Sequence, residues 1–423
     1  MSASLFTLHA DWSIKSLGEI CSGGDASIQT GPFGSALHAS DYVLDGTPCV
    51  MPQDIRDGKI STDNIARVST EDHDRLKGFQ LRVGDIVYPR RGDIVKRALV
   101  GEREAGWLCG TGCLRLRPNP AKAESAYLSY YLAHPDVCDW IESNAVGATM
   151  PHLNTGLAGS IPVVTPPLAE QHQIAAILGA LDDKIELNRK TAATLEEMAR
   201  AIYRSWFVDF DPVRAKAEGR VPAHMDAATA DLFPDSFGDD GLPLGWANTE
   251  VAQLCSIKGG KQLEKELFSE SGAYPVFGGA GQMGLSDRYN ADGYVITVGR
   301  VGAYCGVFVP HRGKAWVNNN ASHIIPKESI PPEFLLLALQ ALDLSAIKKG
   351  AAQPFISNGD LGRLTILLAS ADVLSAFNSE VKPMFERREA LLCENQTLAN
   401  LRDTLLPRLM SGELRVGAAK ELI

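Results

Sequence analysis

Apolar residues recur at a regular spacing through the middle of the chain, from Ile174 to Trp206. They alternate in steps of four and three residues, which is the heptad pattern of a helix that packs along one seam against another helix. Thr165 is predicted to cap the start of this helix, and Asp211-Pro212 to end it. A helix of about 40 residues would be roughly 60 Å long at 1.5 Å per residue, so residues 165–211 are predicted to be a strut rather than a core element. The seam positions are Ile174, Leu178, Leu181, Ile185, Asn188, Ala192, Leu195, Ala199, Ile202 and Trp206.

A second, less regular copy of this pattern appears within residues 369–415 when Gly147 is aligned with Gly350 and the same offset is kept without a gap. A single apolar seam on an isolated helix would face water, so we predict that the two long helices pair with each other, in antiparallel orientation. Pro383 lies inside the second helix and is predicted to bend it or to mark its beginning. The polar seam residues Asn188, Arg388 and Asn395 either specify the register of the pair or mark exposed turns. The seam positions of this copy are Phe377, Val381, Met384, Arg388, Leu391, Asn395, Leu398, Arg402, Leu405 and Leu409.

Residues 1–164 alternate between short apolar runs and turn residues. A glycine-rich segment occupies residues 29–37, and two predicted strands flank a basic turn at residues 89–96. One helix follows near residue 127. This pattern indicates the α+β class, with a mainly antiparallel or barrel-like sheet.

The same plan begins again at residue 244. Trp246 and Cys255 repeat Trp12 and Cys21 in the same order and with the same spacing, so residues 244–368 are predicted to form a second, similar domain. The loops of the two copies differ far more than their frames do. Residues 212–243 are rich in Ala, Asp, Gly and Pro and are predicted to be a linker with little regular structure, while residues 416–423 form a tail.

Composition places limits on this picture. A chain of 423 residues with 45% apolar residues is expected to hold more than one domain. It contains no apolar run of about 18 residues and no signal-peptide pattern at its start, so we expect a cytoplasmic protein. The eight scattered cysteines are predicted to be reduced thiols that hold no metal. The net charge of −10 is unfavourable for binding nucleic acid as a whole, but basic residues concentrate between residues 84 and 103.

Two similar globules joined by paired helices suggest a molecule that contacts two sites on one duplex. With antiparallel helices, the globules are expected at opposite ends of a strut, at a separation on the order of one or two turns of DNA. Because the loops of the two copies differ, each globule would recognise its own sequence. The target would then be split and asymmetric rather than palindromic.

Several stretches are similar to a known family. The segments PPLAEQHQIA (166–175) and LEEMARAIYRSWFVDFDPVRAKAEGR (195–220) resemble the central region of type I restriction-modification specificity subunits. The segments QTGPFGSAL (29–37), GDIVYPRRG (84–92) and YPVFGGAGQMG (274–284) resemble parts of the target-recognition domains in that family. The resemblance covers nearly the whole chain in the same order.

The resemblance implies a subunit without catalysis of its own. Such a subunit recognises a bipartite sequence on double-stranded DNA, one half per domain, and docks two methyltransferase subunits and, with them, restriction subunits. S-adenosylmethionine, ATP and Mg²⁺ are expected on those partners. The long helices serve as spacer and docking surface, and their ends are expected to contact the methyltransferase. The candidate contact residues are Leu168, Glu170, Gln171, Tyr203, Trp206, Phe207 and Phe210. For Trp206 and Phe207 the alternative is packing within the seam or a domain.

Candidate DNA contacts follow from residue type and position. Glycines let the loop at residues 31–35 bring its backbone near a phosphate, and arginine binds the edge of guanine in bidentate fashion. In the first domain the candidates are Thr30, Phe33, Ser35, Arg90, Arg91, Lys96 and Arg97. In the second domain they are Lys258, Lys261, Arg288, Arg300, His311, Arg312 and Lys314.

Two other classes of function compete with this hypothesis. One is a self-sufficient DNA methyltransferase or nuclease, although the G-x-G-x-x-G match at residues 279–284 is not followed by an obvious helix and no G-x-x-x-x-G-K-[ST] loop occurs. A methyl-transfer assay on the purified chain would distinguish it. The other is a coiled-coil scaffold that binds no DNA, which predicts no selective retention of duplex from a random pool. The target bases do not follow from the sequence.

Overall fold

The computed structural model describes residues 11–33, 36–56, 58–145, 147, 151–350 and 353–419. The chain folds as two compact units, the first comprising residues 1–187 and 394–423 and the second residues 188–393. Both units combine helices with mainly antiparallel sheets, so the predicted α+β class is confirmed. Within the described ranges, no helix is long and apolar enough to cross a membrane.

The first unit is built from strands β1 to β11. A four-stranded antiparallel sheet has the order β2-β10-β7-β8, and a three-stranded sheet has the order β6-β3-β9. The strands are β1 (Ser13–Ser16), β2 (Ser27–Thr30), β3 (Tyr42–Val50), β4 (Ile55–Arg56), β5 (Lys59–Ile60), β6 (Ala66–Val68), β7 (Ile86–Pro89), β8 (Ala98–Leu99), β9 (Leu108–Cys109), β10 (Cys113–Arg117) and β11 (Pro162–Thr165). The helices are α1 (Leu17–Ile20), α2 (Thr70–Arg75), α3 (Ser125–Tyr131), α4 (Pro135–Asn144), α5 (Thr155–Ser160) and the first half of α6 (Leu168–Phe207).

The second unit repeats this arrangement with strands β12 to β20. Its four-stranded antiparallel sheet has the order β13-β19-β16-β17, and its three-stranded sheet the order β15-β14-β18. The strands are β12 (Ala247–Glu250), β13 (Cys255–Gly259), β14 (Tyr274–Gly278), β15 (Gly281–Ser286), β16 (Tyr294–Gly299), β17 (Phe308–Arg312), β18 (Trp316–Val317), β19 (Ala321–Pro326) and β20 (Thr365–Leu368). The helices are α7 (Asp211–Ala217), α8 (Ala227–Asp231), α9 (Val251–Leu254), α10 (Pro332–Ala341), α11 (Asn358–Arg363) and the first half of α12 (Ala371–Met410); α13 (Val416–Ala419) belongs to the first unit.

The internal repeat predicted from the sequence is confirmed in the topology. In each unit one short strand of the three-stranded sheet pairs in parallel, β9 with β3 and β18 with β14. Three successive pairs of elements keep the offset that aligns Gly147 with Gly350, since α5 and α11 begin at positions 155 and 358, β11 and β20 at 162 and 365, and α6 and α12 at 168 and 371. Between these shared elements the two copies differ, since the first unit contains a two-stranded sheet of β4 and β5 that has no equivalent among the sheets described for the second unit.

The core of the first unit joins α3 to the two long helices. Tyr127 and Tyr131 are fully buried, and their hydroxyls donate to the carbonyl oxygens of Val164 at 2.8 Å and Pro162 at 3.0 Å. Hydrogen bonding removes the cost of burying these hydroxyls, so the rings act as large apolar residues.

Within this unit the start of α6 packs against the end of α12. Leu178 and Leu409, neither accessible to solvent, belong to one buried cluster. Asp182 forms an ion pair with Arg402 at 2.7 Å, and the Asn395 amide donates to the Ile185 carbonyl oxygen at 3.2 Å. The residue number falls on one helix as it rises on the other, so this pair is antiparallel, as predicted.

The second unit has an aromatic core at the other halves of the same helices. Tyr203 and Phe207 of α6 surround Phe377 of α12, with ring centroids 6.2 and 5.0 Å from it. Glu196 and Arg388 form an ion pair across the helices at 2.9 Å. The aromatic pairs add roughly 0.5–1.5 kcal/mol each to the free energy of burial.

The ends of α6 differ from the prediction. The helix begins at Leu168, and the Thr165 hydroxyl donates to the carbonyl oxygen of Ser13 at 2.8 Å instead of capping it. Thr165 is thus a strand residue of β11. Asp211-Pro212 does not end the helix, because α6 has already ended at Phe207 and these two residues open α7. Proline is suited to a first helical turn, where no amide donor is needed.

The second long helix runs through Pro383, so the prediction that Pro383 marks its beginning is wrong. Val381 and Phe385 on either side of the proline are buried, and this packing compensates for the missing backbone hydrogen bond. The alternative of exposed turns for the polar seam residues is also wrong. Asn188 is 2% exposed, and the half-buried Arg388 and Asn395 bond across their helix pairs.

Residues 212–243 are more ordered than their composition predicts, since they contain α7 and α8. Val213 and Phe233 are buried, and the Phe233 ring meets Trp206 edge-on at 4.9 Å. Val213 and Phe233 belong to the core of the second unit, and Met225 and Phe237 pack against it, which determines the path of the chain there.

Candidate nucleic-acid interface

The basic turn of the first unit starts at Arg90, directly after β7. The Arg90 amide donates to the carbonyl oxygen of Gly112 at 2.8 Å, and its own carbonyl accepts from the Leu153 amide at 2.9 Å. The guanidinium lies over the ring of Phe33, 5.4 Å from the centroid, and 3.2 Å from Nε2 of His152. Arg90 is thus placed by the backbone and supported by two rings.

His152 has a pKa held below its usual range, mainly by burial and further by the charges of Arg90 and Arg91. The ring is therefore neutral at pH 7, and its Nε2 can accept a hydrogen bond from the guanidinium of Arg90.

Arg300 occupies the equivalent place in the second unit, directly after β16. Its amide donates to the carbonyl oxygen of Asn320 and its carbonyl accepts from the amide of Ile356, both at 3.0 Å. The guanidinium lies over the ring of Phe355, 5.4 Å from the centroid. Phe355 and His152 align at the constant offset of the repeat, so they occupy the same place in the two copies.

Both arginines are half-buried and held by rings rather than by carboxylates. Among the described residues, neither Arg90 nor Arg300 has an acidic partner within 4.0 Å, and the Nε of each is buried without a hydrogen-bond partner. Arginine stacks on aromatic rings and keeps its charge at all relevant pH values. Each unit therefore presents an uncompensated cation at the same point of its frame, which suits an anionic ligand such as phosphate.

The chain segments beside these arginines approach each other very closely. Gly31 follows β2, and a Cβ built on it would lie 2.0 Å from the carbonyl oxygen of Gly110. Gly260 follows β13, and its Cβ would lie 2.1 Å from the carbonyl oxygen of Asn318. Only glycine allows backbone segments to approach so closely. The loop after β9 in the first unit and the loop after β18 in the second are therefore held by equivalent glycine contacts.

The remaining candidates of the first unit have unequal surroundings. Arg91 is exposed, and the part of the chain that the structure describes places no carboxylate within 4.0 Å of it. Lys96 is exposed but forms an ion pair with Asp93 at 3.0 Å.

The Arg97 guanidinium donates to the carbonyl oxygen of Ser129, which ties it to α3. Thr30 is the last residue of β2 and pairs with Leu114 of β10, while Ser35 falls outside the described residues.

The candidate DNA contacts of the second unit also have unequal surroundings. Lys258, Lys261 and Arg288 are exposed. The ring of His311 lies 5.2 Å from that of Phe277, and burial lowers its pKa, so it carries no charge at pH 7.

Arg312 and Lys314 are both engaged within the second unit. Arg312 forms ion pairs with Glu333 and, at 2.8 Å, with Glu389, so two carboxylates compensate its positive charge. The Lys314 ammonium lies 4.5 Å from the centroid of the Tyr289 ring. Both side chains are cations, but among the described residues no carboxylate lies within 4.0 Å of the Lys314 ammonium, so Lys314 is the better candidate for a phosphate contact.

Comparison with known proteins identifies the family. The model of the type I restriction modification DNA specificity domain matches this chain twice, over residues 10–197 and 243–371. The chain belongs to this family of specificity domains. One matched stretch contains Arg90 and the other contains Arg300, so both copies of the specificity domain carry the ring-supported arginine.

Individual relatives agree with this assignment. The type I restriction enzyme HindI specificity subunit of Haemophilus influenzae is 26% identical over 401 residues, which covers 79% of this chain and 87% of that protein. The type I restriction enzyme MjaIX specificity subunit of Methanocaldococcus jannaschii is 24% identical over 322 residues, covering 69% of each. The crystal structure of the S subunit of a type I restriction-modification system from M. genitalium has a TM-score of 0.62 at 16% identity, covering 96% of this chain and 98% of that one. That likeness shows the fold.

The candidate partner contacts of this specificity-domain chain lie mostly inside it. Tyr203, Trp206 and Phe207 are buried and pack in the aromatic core of the second unit, so packing accounts for them. Phe210, half-buried, packs against Trp246 at 6.1 Å.

At the other end of α6, two of the three predicted contact residues are also engaged internally. Gln171 is 1% exposed and accepts from the amide of Glu124 at 2.9 Å. Glu170 binds Arg415 at 3.0 Å. Leu168 is half-buried. Gln171 and Glu170 would have to give up these contacts to bind a partner directly, whereas Leu168 is partly accessible to solvent.

Two residues of the interface do not stand out in the sequence. His152 and Phe355 are single aromatic residues in unlike surroundings, and only the constant offset of the repeat aligns them. The G-x-G-x-x-G match at residues 279–284 forms the turn and first residues of the hairpin between β14 and β15. It does not open a helix, which is the context that a dinucleotide site requires.

Proposed function

We propose that this chain is the DNA sequence-specificity subunit of a type I restriction-modification complex. Each unit recognises one half of a bipartite, asymmetric target on double-stranded DNA. The long helices α6 and α12 set the spacing between the halves and dock the methyltransferase subunits.

One observation carries the proposal. The two units place Arg90 and Arg300 at equivalent points of one frame, each on an aromatic ring and each without a carboxylate partner among the described residues. Around this shared feature the loops differ in sequence. A common cation suits the phosphate backbone, which is the same everywhere, while unlike loops suit two different base sequences.

The chemistry is proposed to reside in other chains. Two methyltransferase subunits with S-adenosylmethionine would methylate adenine, and restriction subunits with ATP and Mg²⁺ would cleave. This division of labour is supported by the family to which the chain belongs. In this arrangement the present chain contributes the choice of sequence.

Mapping of methylated adenines tests the proposal. The chain is expressed with the methyltransferase subunits of its own genome in a host that lacks adenine methylation, and the genome of that host is sequenced for methylated adenine. We expect one bipartite, asymmetric motif that is lost when this chain is omitted. Methylation that persists without the chain, or a single uninterrupted motif, would contradict the proposal. A methyl-transfer assay on the purified chain alone is expected to show no activity.

A further inference from the structure

The loop between β18 and β19 consists of three asparagines, Asn318, Asn319 and Asn320. Its backbone is well anchored, because the Asn318 amide donates to the carbonyl oxygen of Phe277 at 2.8 Å and the Asn318 carbonyl accepts from Ala321 at 3.1 Å. The side chains of Asn319 and Asn320 are exposed. A rigid loop thus presents amide groups to solvent beside Arg300, whose backbone amide binds Asn320.

Asn318 positions its neighbour. Its side-chain Oδ1 accepts from the backbone amide of Asn319 at 2.8 Å and, more weakly, from that of Leu263 at 3.4 Å. The close approach of Gly260 to the Asn318 carbonyl oxygen, described above, brings the segment after β13 to the same place. The side chains that follow Gly260 therefore lie next to the asparagine loop.

Asn319 and Gln262 meet at this point. The Nδ2 of Asn319 donates to Oε1 of Gln262 at 3.4 Å, and both side chains are exposed. This distance is at the long limit for a hydrogen bond, so an incoming polar group can replace the contact at little cost. Lys261, the residue before Gln262, is an exposed cation, which suits a site beside a phosphate chain.

The first unit has different chemistry at the equivalent place. Its loop between β9 and β10 is Gly110-Thr111-Gly112, which carries no amide side chain. The Thr111 hydroxyl turns inward and donates to the carbonyl oxygen of Pro32 at 3.1 Å. The strands that flank this loop are equivalent in the two units, but the pair of side-chain amides, Gln262 and Asn319, occurs at this place only in the second unit.

We infer that Gln262 and Asn319 form a base-recognition pair that hydrogen-bonds to adenine in the major groove of the half-site bound by the second unit. A side-chain amide offers one acceptor and one donor, which match the N6 amino group and N7 of adenine. Guanine presents two acceptors at this edge and does not match. The inference rests on the proposed function, since it assigns part of the specificity to two residues of one unit.

Substitutions at the pair test the inference in the assembled complex. The full-length chain, bound to its methyltransferase subunits, selects from a library of randomised DNA duplexes. Wild type is compared with N319A, N319D, Q262A and the control N248A, an exposed asparagine of β12. For N319A and Q262A we expect the preference for adenine at one or two positions of one half-site to fall roughly tenfold to a hundredfold. N319D should shift that preference toward cytosine, whose amino group donates to a carboxylate.

The outcomes separate the inference from the proposed function. The other half-site should be selected unchanged by every variant, which shows that the complex is folded and assembled. An unaltered motif for all pair variants would overturn the inference, as would a loss confined to a G·C position or an equal change in N248A. If wild type itself selects no motif, the proposed function fails instead.

Discussion

A methyl group at position 260 would test whether close backbone contact holds the asparagine loop in place. In Gly260→Ala the new Cβ would lie 2.1 Å from the Asn318 carbonyl oxygen and 2.6 Å from that of Val317. Ordinary van der Waals contact begins at 3.4 Å, so the two backbone segments must move apart to accept the methyl group. Both oxygens belong to the backbone, so no side-chain rotation relieves the overlap. Overpacking of this kind costs about 1–3 kcal/mol of unfolding free energy.

Gly359→Ala is the matched control within the same unit. Its Cβ would meet only the Ser357 Oγ, at 4.0 Å, and the residue lies in α11. Alanine there is expected to leave stability unchanged or to raise it by up to about 1 kcal/mol.

Urea unfolding of both variants measures the difference in stability. Gly260→Ala should lower the transition midpoint while Gly359→Ala does not. Selection from randomised duplexes should then show a weakened motif only in the half-site of the second unit, because the asparagine loop has moved. In the first unit Gly31→Ala, with its Cβ 2.0 Å from the Gly110 carbonyl oxygen, should affect the opposite half-site. Equal midpoints for the two second-unit variants would refute the reasoning.

Three further predictions concern charge, packing and pH. Arg91→Ala should weaken the binding of cognate DNA, and the salt dependence of that binding should fall by roughly one phosphate contact, while subunit assembly stays intact. Lys96→Ala should have a smaller effect, because Asp93 already pairs with Lys96 at 3.0 Å. Equal gel-shift titrations of wild type and Arg91→Ala at fixed salt would contradict this prediction. Phe377→Ala should lower the unfolding free energy by about 3–5 kcal/mol in urea titrations, because the ring is fully buried; a loss below about 1 kcal/mol would count against the packing described. Burial lowers the pKa of His323, so the unfolded chain takes up the proton first and the free energy of unfolding decreases as the pH falls below about 6.5. In His323→Gln the free energy of unfolding should decrease less over the same pH range. Parallel curves of unfolding free energy against pH for the two proteins between pH 7 and 5 would disprove this prediction.

Local patterns account for the elements that the sequence predicted correctly. The heptad seam of α6 and its repeat in α12 depend on residues three and four positions apart, and the observed helices keep the predicted offset between the two copies. The same reasoning was wrong at Thr165 and in the alternative that Pro383 begins the second long helix, because contacts with other parts of the fold outweigh local preference there. Val381 and Phe385 are buried around the proline, and Ser13 accepts the threonine hydroxyl's hydrogen bond.

The candidate interface depends on contacts that a linear pattern does not contain. Residue type alone made Arg91 and Arg312 equal candidates, yet Arg312 binds Glu389, 77 residues away, and Arg91 has no carboxylate within 4.0 Å among the described residues. Arg90 meets His152 across 62 residues. Partners so far apart in the sequence come into contact only when the chain has folded.

The sequence by itself determined the duplicated plan, the paired helices and the family, because periodicity and repeated motifs are properties of neighbouring positions. Only the tertiary structure decided which cations stay uncompensated and which side chains, such as Gln262 and Asn319, meet at one point. Charge compensation and convergence depend on distances through space, and those distances exist only after the strands have paired.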